Sequence, residues 1–536
     1  MAFITALTAA LTGFTILVLY IRHNDKCLLA IPERVQAATT PRITEGDVRE
    51  TAARLEKEVP LEEKFKAQLP PKTGRRYIIV GGGGFLGGWI ATALLHRGED
   101  PRKIRLLDLN PPTNYEVVDA VSKGTQFLKV DVTDTKSVEE AFSAPWAATN
   151  SDVPGVVPEV TIFHTAANIR FYERHRIFLS RSTRVNVQGT ENVVKAAKDI
   201  GATVLVYTSS GSVAIKRARF WLWPWEKEPA AGGFVHAIND DQDMLPKVHE
   251  EFFSNYAVTK MMAESIVRGA DKSRLQGEKV LRTGCLRPGN GIFGPRGDML
   301  CGAYLVRETN PTWIQNSVQS FIYVENCALS HLLYERRLID TINGSKNPDI
   351  GGQAFCIADP GKPPTYGDVY NTLSILSGGE TTFPELSPTA MLAFAHVVES
   401  YYIARHYLID IWGLPLLGRI LPAIQGDIIN LQPSLFALTQ VHLLFDDSRA
   451  RLSPQEGGLG YQGAWTTLEG LHKTFREHKN GVGWSSRSGK AGVSFGFKKK
   501  KVAKASVAEA QAAVGKIEDK MMETIGIGPV EMFNPK

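Results

Sequence analysis

The chain opens on an apolar segment that ends abruptly at a basic cluster. Residues 1–21 contain no charged residue, and Arg22, His23 and Lys26 follow at once. A helix of about 20 apolar residues is long enough to cross a bilayer. A cleaved signal peptide would instead carry basic residues before the apolar run and small residues after it. We therefore expect an uncleaved transmembrane anchor over residues 1–24, with the body of the protein in the cytosol because the basic flank follows the anchor.

Beyond the anchor, the pattern changes from a charged, proline-punctuated stretch to an alternation of apolar runs and amphipathic segments. Residues 25–74 are typical of a spacer, with one amphipathic helix predicted over Val48–Glu58. Apolar runs bounded by turn residues then predict buried strands. These runs lie at 77–80, 104–110, 127–134, 161–167, 203–213 and from 286 onward, with helical patterns among them. Such alternation predicts an α/β fold with a doubly wound parallel sheet.

Glycines crowd the turn that follows the first predicted strand. Gly81, Gly84 and Gly87 have the spacing GxxGxxG, and Phe85 and Leu86 begin a helix. In a dinucleotide-binding turn the first glycine allows the tight turn, the second leaves room for the pyrophosphate and the third lets the helix approach the sheet. The N–H groups at the helix N-terminus also attract phosphate. A flexible glycine loop is the alternative, and the flanking strand and helix favour the dinucleotide site.

The next strand ends favour NAD as the dinucleotide. Asp108 ends the second strand, about 20 residues after the glycine turn, where a carboxylate would accept the ribose hydroxyls and repel a 2′-phosphate. Neither of the two residues that follow it is basic. A surface aspartate at a strand end is the alternative interpretation. Asp131 and Val132 after the third strand are predicted to meet the adenine, and the small Ala166 and Ala167 after the fourth leave room for the cofactor.

Three residues are candidates for hydride-transfer chemistry. Ser210 follows the fifth strand, and Tyr256 and Lys260 lie four residues apart, one turn along a predicted helix. Oxidation of an alcohol needs a base for its proton, a donor to the same oxygen and a cation that keeps the base available. Tyrosine has a reference pKa of about 10, which a nearby ammonium and the nicotinamide charge would lower. A serine that only shapes the turn is the alternative for Ser210.

Two apolar regions suggest contact with a membrane. The run Lys216–Trp225 places three tryptophans beside basic residues. It is either a packed loop or an interfacial loop with its indoles at headgroup depth. Residues 388–424 are apolar but contain charges that argue against a second membrane span. We expect them to form a helical lid that covers an apolar pocket and touches the membrane.

Composition adds limits on partners and compartment. A net charge of +5 over 536 residues gives no reason to expect a nucleic-acid partner. The five cysteines show no metal-type spacing and indicate a reducing compartment. We expect no metal site, since no clustered His/Cys/carboxylate motif is present. Residues 481–536 are rich in Gly, Ser, Lys and Ala and predict a basic, disordered tail.

The motifs together resemble one family. GGGGFLG, HTAA, NVQGTENV, YTSSGSV, YAVTK, LRPGNGIFGPR and FIYVENCALSH occur in this order between residues 75 and 480. This order resembles the extended short-chain dehydrogenases, and within them the 3β-hydroxysteroid dehydrogenase family, with its sterol-4α-carboxylate 3-dehydrogenase (decarboxylating) branch the most similar. Val80 and Ser320 depart from residues common in the family, and the tryptophan-rich insertion lengthens the interval between Ser210 and Tyr256.

The resemblance implies a domain plan and site residues. It implies a Rossmann NAD-binding domain over residues 75–290 and a smaller C-terminal substrate-binding domain over 291–480. By matching position it implies Ser210, Tyr256 and Lys260 as catalytic residues. It also implies further cofactor contacts at Asn186, Tyr256, Lys260 and Pro288.

The resemblance also implies a reaction and a setting. The expected reaction is oxidation of the 3β-hydroxyl of a sterol or triterpenoid, with decarboxylation if the substrate carries a 4α-carboxyl group. Arg174 and Arg176 are candidates for recognising that carboxylate. A dehydrogenase with isomerase activity, a terpenoid ketoreductase and a non-catalytic scaffold subunit remain as alternatives. The expected location is the endoplasmic reticulum membrane, and the expected partners are that membrane, other sterol-demethylation enzymes and a second copy in a homodimer.

Overall fold

A computed structural model of the chain describes residues 1–58, 61–147, 158–229 and 233–481. The tail predicted over 481–536 lies outside the described residues from residue 482 onward. The strands of the described part are β1 Arg76–Val80, β2 Ile104–Asp108, β3 Gln126–Lys129, β4 Val160–His164, β5 Val204–Thr208, β6 Val235–Ile238, β7 Ser273–Arg274, β8 Val280–Pro288, β9 Ile292–Phe293, β10 Ile322–Tyr323, β11 Ala354–Ile357 and β12 His442–Phe445.

The helices enclose the sheet and build the C-terminal part of the body. They are α1 Ala2–Leu28, α2 Glu33–Gln36, α3 Glu45–Lys57, α4 Leu61–Lys66, α5 Phe85–His96, α6 Tyr115–Ser122, α7 Thr135–Ser143, α8 Leu179–Thr183, α9 Gly189–Asp199, α10 Asn255–Gly269, α11 Cys301–Arg307, α12 Val324–Ile342, α13 Tyr366–Leu376, α14 Pro388–His406, α15 Pro433–Thr439, α16 Ser448–Arg451 and α17 Thr467–Lys479. A π-helical turn at Arg184–Gln188 joins α8 to α9, and another at Tyr407–Ile411 continues α14.

The main sheet is parallel and doubly wound, as the alternation of strands and helices predicts. Its order is β3-β2-β1-β4-β5-β8-β11, and the short β7 adds antiparallel to β8. In the central strand, Ile79 is in register with Leu106 of β2 and Phe163 of β4, and all three side chains are buried. Helices on both faces are required to cover such strands. Buried clusters accordingly lie on each side of the sheet, one including α5 and α12 and the other including α9 and α10.

Several strands end earlier than the apolar runs predict. The observed last residues are Asp108 in β2, Lys129 in β3, His164 in β4 and Thr208 in β5. After β4, for example, the N–H groups of Thr165 and Ala166 both bond to the Val80 carbonyl, at 2.8 and 3.0 Å, so the chain turns toward β1 instead of extending. After β3 and β5 the apolar run continues because Val130 and Val213 are still buried in the core, whereas Leu109 after β2 is 53% exposed.

Part of the segment expected to be a spacer packs tightly on the body. Leu55, Leu61 and Phe65 are each at most 5% exposed and join the core cluster that contains α5. Arg54 of α3 and Lys64 of α4 both bond to the Glu469 carboxylate of α17, at 2.7 and 3.1 Å. Residues 45–58 and 61–66 therefore form an integral layer of the folded body, and the spacer interpretation is wrong for them.

The N-terminal helix α1 divides into an exposed part and a docked part. Residues 2–19 are almost entirely exposed, whereas Asn24 and Leu28 are buried against the body. Within the described residues, this is the helix that is long and apolar enough to cross a membrane. The structure thus agrees with an apolar N-terminal helix of spanning length.

Candidate active site

The glycine turn lies at the carboxyl end of β1, between β2 and β4, where the strand order reverses. Ligands of doubly wound sheets bind at such a switch point. Gly81 has φ +90°, and a Cβ there would lie 2.5 Å from Thr165 Oγ1 and 2.7 Å from Ala166 N. A Cβ on Gly87 would overlap the Gly81 carbonyl oxygen. Neither position accommodates a side chain, because the turn presses against the β4 loop and against its own helix.

The start of α5 is open to an anion. Gly84 is the N-cap residue, so no side chain caps the helix, and its first turn contains no acidic residue. The first N–H groups of a helix need an acceptor from outside the helix. The amides of Phe85 and Leu86 can therefore donate to a phosphate. The cradle and the open N-terminus together fit the pyrophosphate of a dinucleotide.

Asp108 lies beside this turn, as its position at the end of β2 predicts. Its Oδ2 accepts from the Gly83 N–H at 3.1 Å, and its Oδ1 accepts from the Asn110 N–H at 3.1 Å. The carboxylate is half-buried at the edge of the glycine turn. It is therefore placed to receive sugar hydroxyls from a nucleotide bound at this turn.

The other predicted cofactor contacts gather at the same edge of the sheet. Asp131 and Val132 lie in the loop after β3, and a Cβ on Gly189 of α9 would lie 2.8 Å from Val132 Cγ2. Ala166 and Ala167 follow β4. Their common location agrees with a cofactor lying across the carboxyl ends of the strands.

Asn186 and Pro288, two other predicted cofactor contacts, also have contacts within the protein. The Asn186 amide donates to the Asn168 carbonyl at 3.2 Å and to Thr259 Oγ1 at 3.0 Å, and it accepts from the Asn168 N–H at 2.7 Å. Both of its amide hydrogens are thereby engaged, so Asn186 joins the π-helical turn to α10. Pro288 ends β8, and its carbonyl lies beside Gly211.

The three candidate catalytic residues converge at the carboxyl end of β5. Ser210 is the N-cap of a short 3-10 helix over Gly211–Ala214, and its hydroxyl lies 2.7 Å from Ser212 Oγ. The Tyr256 phenol lies close enough to Ser210 for the serine hydroxyl to lower the pKa of the phenol. Ser254 caps α10 and so fixes the start of the helix that carries Tyr256. The hydroxyls of Ser210 and Tyr256 can therefore contact one substrate oxygen.

The Lys260 ammonium faces the end of β5 rather than the Tyr256 phenol. Its Nζ donates to the Thr208 carbonyl at 2.6 Å and lies 4.2 Å from the centre of the Tyr207 ring. Burial lowers the pKa of Lys260 to about 7. Burial also raises the pKa of Tyr256 to about 12, although the hydrogen bond from Ser210 opposes that rise. In the protein alone, the pKa of Tyr256 is therefore set by burial and by Ser210, and the lowering expected from Lys260 is not observed.

The sequence model of the 3-beta hydroxysteroid dehydrogenase/isomerase family matches residues 78–381, more than half of the chain. The chain belongs to this family. The resemblance of its motifs to the 3β-hydroxysteroid dehydrogenases is therefore confirmed.

Individual relatives are distant. The chain is 27% identical over 419 residues to 3beta-hydroxysteroid-dehydrogenase/decarboxylase isoform 2 of Arabidopsis thaliana, covering 75% of this chain and 62% of that relative. It is 30% identical over 299 residues to the decarboxylating sterol-4-alpha-carboxylate 3-dehydrogenase ERG26 of Candida albicans, covering 54% and 71%. A solved UDP-glucose 4-epimerase from Thermotoga maritima aligns with TM-score 0.47 at 15% identity, covering 76% of this chain and 99% of that one. The match to the Arabidopsis relative thus spans less than two thirds of its length.

Behind the site, this 3β-hydroxysteroid dehydrogenase family member has a buried ion pair that the sequence analysis missed. Glu264 lies on α10 one turn after Lys260, and Arg287 lies on β8. Arg287 Nε and Nη2 donate to the Glu264 carboxylate at 3.0 and 2.6 Å, and Ser209 Oγ donates to it at 2.6 Å. The pair thereby joins α10 and β8 to the residue immediately before Ser210. Tyr256, Lys260 and Glu264 are spaced four residues apart and so lie on one face of α10. This spacing was the sequence feature that could have drawn attention to Glu264.

The proposed carboxylate receptors are already paired. Arg174 Nε and Nη2 bond to the two carboxylate oxygens of Glu399 on α14, each at 2.6 Å. Arg176 forms an exposed ion pair with Glu250 at 2.6 Å. A bidentate pair uses the fork that would otherwise receive a substrate carboxylate. The pairing with Glu399 disfavours Arg174 as a receptor for a substrate carboxylate, and Arg176 faces an exposed glutamate.

The insertion between Ser210 and Tyr256 pairs with the C-terminal part of the chain. Its strand β6 pairs in parallel with β12, which places Phe445 opposite Ile238. The Phe445 ring packs so closely on Gly211 that a Cβ there would overlap it. The residue after Ser210 therefore contacts the C-terminal part of the chain through an aromatic ring. Sequence spacing alone gives no sign of this contact.

Proposed function

We propose that the chain catalyses the NAD-dependent oxidation of the 3β-hydroxyl group of a sterol or related triterpenoid. The observation that carries this proposal is the proximity of the Ser210 and Tyr256 side chains, located at the sheet edge that also holds the glycine turn. Membership of the 3-beta hydroxysteroid dehydrogenase/isomerase family supports the substrate class.

The residues present fit NAD. The open N-terminus of α5 would hold the pyrophosphate, and Asp108 would hold the adenosine ribose and disfavour a 2′-phosphate. Bound NAD supplies the acceptor for the hydride from carbon 3 and a positive charge that favours a tyrosine phenolate. Tyr256 takes the hydroxyl proton, and Ser210 donates a hydrogen bond to the same oxygen as it becomes a carbonyl.

Lys260 has a supporting role in this scheme. Its bond to the Thr208 carbonyl fixes α10 to the end of β5 and so keeps Tyr256 next to Ser210. When protonated, the ammonium also contributes a buried positive charge one helical turn from Tyr256, and this charge stabilises a phenolate. We therefore assign Lys260 to orientation and to charge, with Tyr256 as the base.

We further propose that the preferred substrate carries a 4α-carboxyl group. Two relatives at 27% and 30% identity are named as a decarboxylase and as a decarboxylating dehydrogenase. Oxidation at carbon 3 turns such a substrate into a β-keto acid. The bond between carbon 4 and the carboxylate then breaks, and its electron pair moves into the 3-oxygen enolate. Ser210 and Tyr256 would stabilise that enolate, and water would supply the proton to carbon 4.

The exposed part of α1 supports a membrane location for the enzyme. Twenty residues of helix extend about 30 Å, the thickness of the hydrocarbon core. The basic Arg22 and Lys26 lie at the end that meets the body. We propose an anchor in the endoplasmic reticulum membrane with the catalytic body in the cytosol.

Product stoichiometry tests the proposed reaction. The full chain in detergent is incubated with NAD and a panel of 3β-hydroxysterols, with and without a labelled 4α-carboxyl group, and Tyr256→Phe is the matched control. Equal yields of NADH and labelled carbon dioxide are expected from the 4-carboxysterol. NADH only from sterols without the carboxyl group would reject decarboxylation, and a shifted double bond in the product would favour the isomerase alternative. No NADH from any sterol would refute the oxidation itself.

A further inference from the structure

The end of α1 is rigidly joined to two exposed apolar segments of the body. Tyr20 stacks on Trp221 with ring centres 6.5 Å apart, and its hydroxyl donates to the Leu222 carbonyl at 2.9 Å. One turn later, Asn24 accepts from the Leu222 N–H at 3.1 Å. The His23 ring nitrogen lies 3.0 Å from the Glu226 carbonyl. The tryptophan-rich loop 216–225 is therefore fixed to α1 at the point where the exposed part of that helix ends.

The helix α14 is fixed to the same end of α1. Asn24 Nδ2 donates to Thr389 Oγ1 at 2.9 Å, and the Asp25 carboxylate accepts from Ser387 Oγ at 2.7 Å and from the Thr389 N–H at 2.8 Å. These are buried or partly buried contacts at the start of α14. They leave α1 no freedom to swing relative to the body without breaking several hydrogen bonds.

The contacts also give the direction in which α14 runs. Its first residues contact Asn24 and Asp25, whereas His396, two turns on, accepts from the indole N–H of Trp221, which stacks on Tyr20. Moving along α14 therefore corresponds to moving back along α1 toward its apolar end. The residues after His396 lie on the side of the body that the exposed part of α1 leaves.

Each of the two segments exposes large apolar residues. Trp223 and Trp225 stack on each other with ring centres 5.5 Å apart and yet remain exposed to solvent. The exposed fractions are 58% for Trp223, 77% for Trp225, 60% for Ile411, 65% for Trp412, 72% for Leu416 and 75% for Ile420. We call these six residues the docking face. The neighbouring Asp410 lies 2.6 Å from the His406 ring nitrogen and 3.7 Å from the Arg181 guanidinium, so its charge is partly compensated by Arg181.

We propose that the docking face enters the bilayer leaflet next to the end of α1 and holds the body against the membrane in one orientation. Continuity with α1 selects lipid as the occupant, because Tyr20 and Trp221 share the level at which a spanning helix meets the headgroups. Tryptophan is favoured at that depth, and exposed aliphatic side chains gain by entering the acyl region. The exposed Arg22 and Lys26 would meet the lipid phosphates at the same level.

Quenching of tryptophan emission by lipid tests this inference, which rests on the proposed membrane location. The full chain is reconstituted into phosphatidylcholine vesicles whose acyl chains are brominated near the headgroup, and into unbrominated vesicles. We expect the brominated lipid to lower the emission of the wild-type chain. The variant Trp223→Phe/Trp225→Phe/Trp412→Phe should lose most of that quenching. Phenylalanine keeps the exposed positions apolar, and Trp146→Phe, beside Arg105 at the far edge of the sheet, is the matched control.

Flotation of the same vesicles separates this proposal from the membrane anchor itself. Wild-type chain that fails to float with the vesicles would reject both. Chain that floats, but whose quenching the triple variant leaves unchanged, would keep the anchor and overturn the docking face. Cross-linking of the docking face to a second copy, without quenching by lipid, would also overturn it in favour of an interface between copies.

Discussion

Replacing Arg287 by methionine should destabilise the body more than any surface change nearby. Arg287 and Glu264 have side-chain exposures of 0% and 2%, and two hydrogen bonds join them. Methionine fills a similar volume without charge, so Arg287→Met leaves the Glu264 carboxylate buried with Ser209 Oγ as its remaining close donor and Arg268 at 3.6 Å. Removing one partner of a buried pair costs about 3–5 kcal/mol.

A double-mutant cycle gives the magnitude a sharper test. Glu264→Gln/Arg287→Met removes both charges, and replacing a buried pair as a whole often costs little. The double variant should therefore be more stable than the sum of the two single changes predicts, by about 2 kcal/mol, within the range for residues in direct contact. Arg268→Met is the matched control: its side chain is 27% exposed and 3.6 Å from Glu264, so we expect a loss of about 1 kcal/mol or less.

Denaturant unfolding in detergent, followed by tryptophan emission, measures the free energies of unfolding of the wild type, the two single variants and the double variant. Initial reaction rates of the same proteins are measured in parallel. Because Ser209 precedes Ser210 and bonds to Glu264, the single variants should lower kcat with little change in KM. A loss below about 1 kcal/mol for Arg287→Met would show that the carboxylate finds other partners and would refute the reasoning. Strict additivity in the cycle would refute it equally.

Three further predictions concern the site itself. Tyr256→Phe should lower turnover ~100-fold or more while NADH still binds, as followed by its fluorescence, and near-normal turnover would place the base elsewhere. Gly87→Ala should abolish NAD binding in calorimetry because its Cβ would overlap the Gly81 carbonyl; retained binding would contradict the cradle. Asp108→Ala should reduce the preference for NAD over NADP in steady-state rates, and an unchanged preference would assign that selectivity to other residues.

The sheet was predictable from the chain because its strands are short, continuously apolar and separated by helical patterns. The strand ends were less predictable. Val130 follows β3 and is 3% exposed although it lies outside the strand, so hydropathy cannot distinguish it from a strand residue. The layer formed by residues 45–58 and 61–66 was missed for the opposite reason. Leu55, Leu61 and Phe65 are isolated among charged residues, and their burial depends on contacts with α5 and α17 that local patterns do not encode.

The candidate site likewise has a part that the sequence predicts and a part that it does not. Ser210, Tyr256 and the glycine turn occupy positions fixed by local geometry: the end of a strand, the start of a helix and a tight turn. The electrostatic surroundings depend instead on which elements meet. The sequence does not show that α14 brings Glu399 to Arg174, nor that the Thr208 carbonyl accepts a hydrogen bond from Lys260.

The two elements least expected from the motifs connect the membrane side of the molecule with its chemistry. The insertion after Ser210 docks on Tyr20 of α1 through Trp221 and, through β6, pairs with the strand that carries Phe445 onto Gly211. α14 begins against Asn24 of α1. It therefore follows that α1 is attached to the insertion that pairs with the strand contacting Gly211, so removing its apolar residues alone should release the chain from membranes less completely than disrupting the docking face as well.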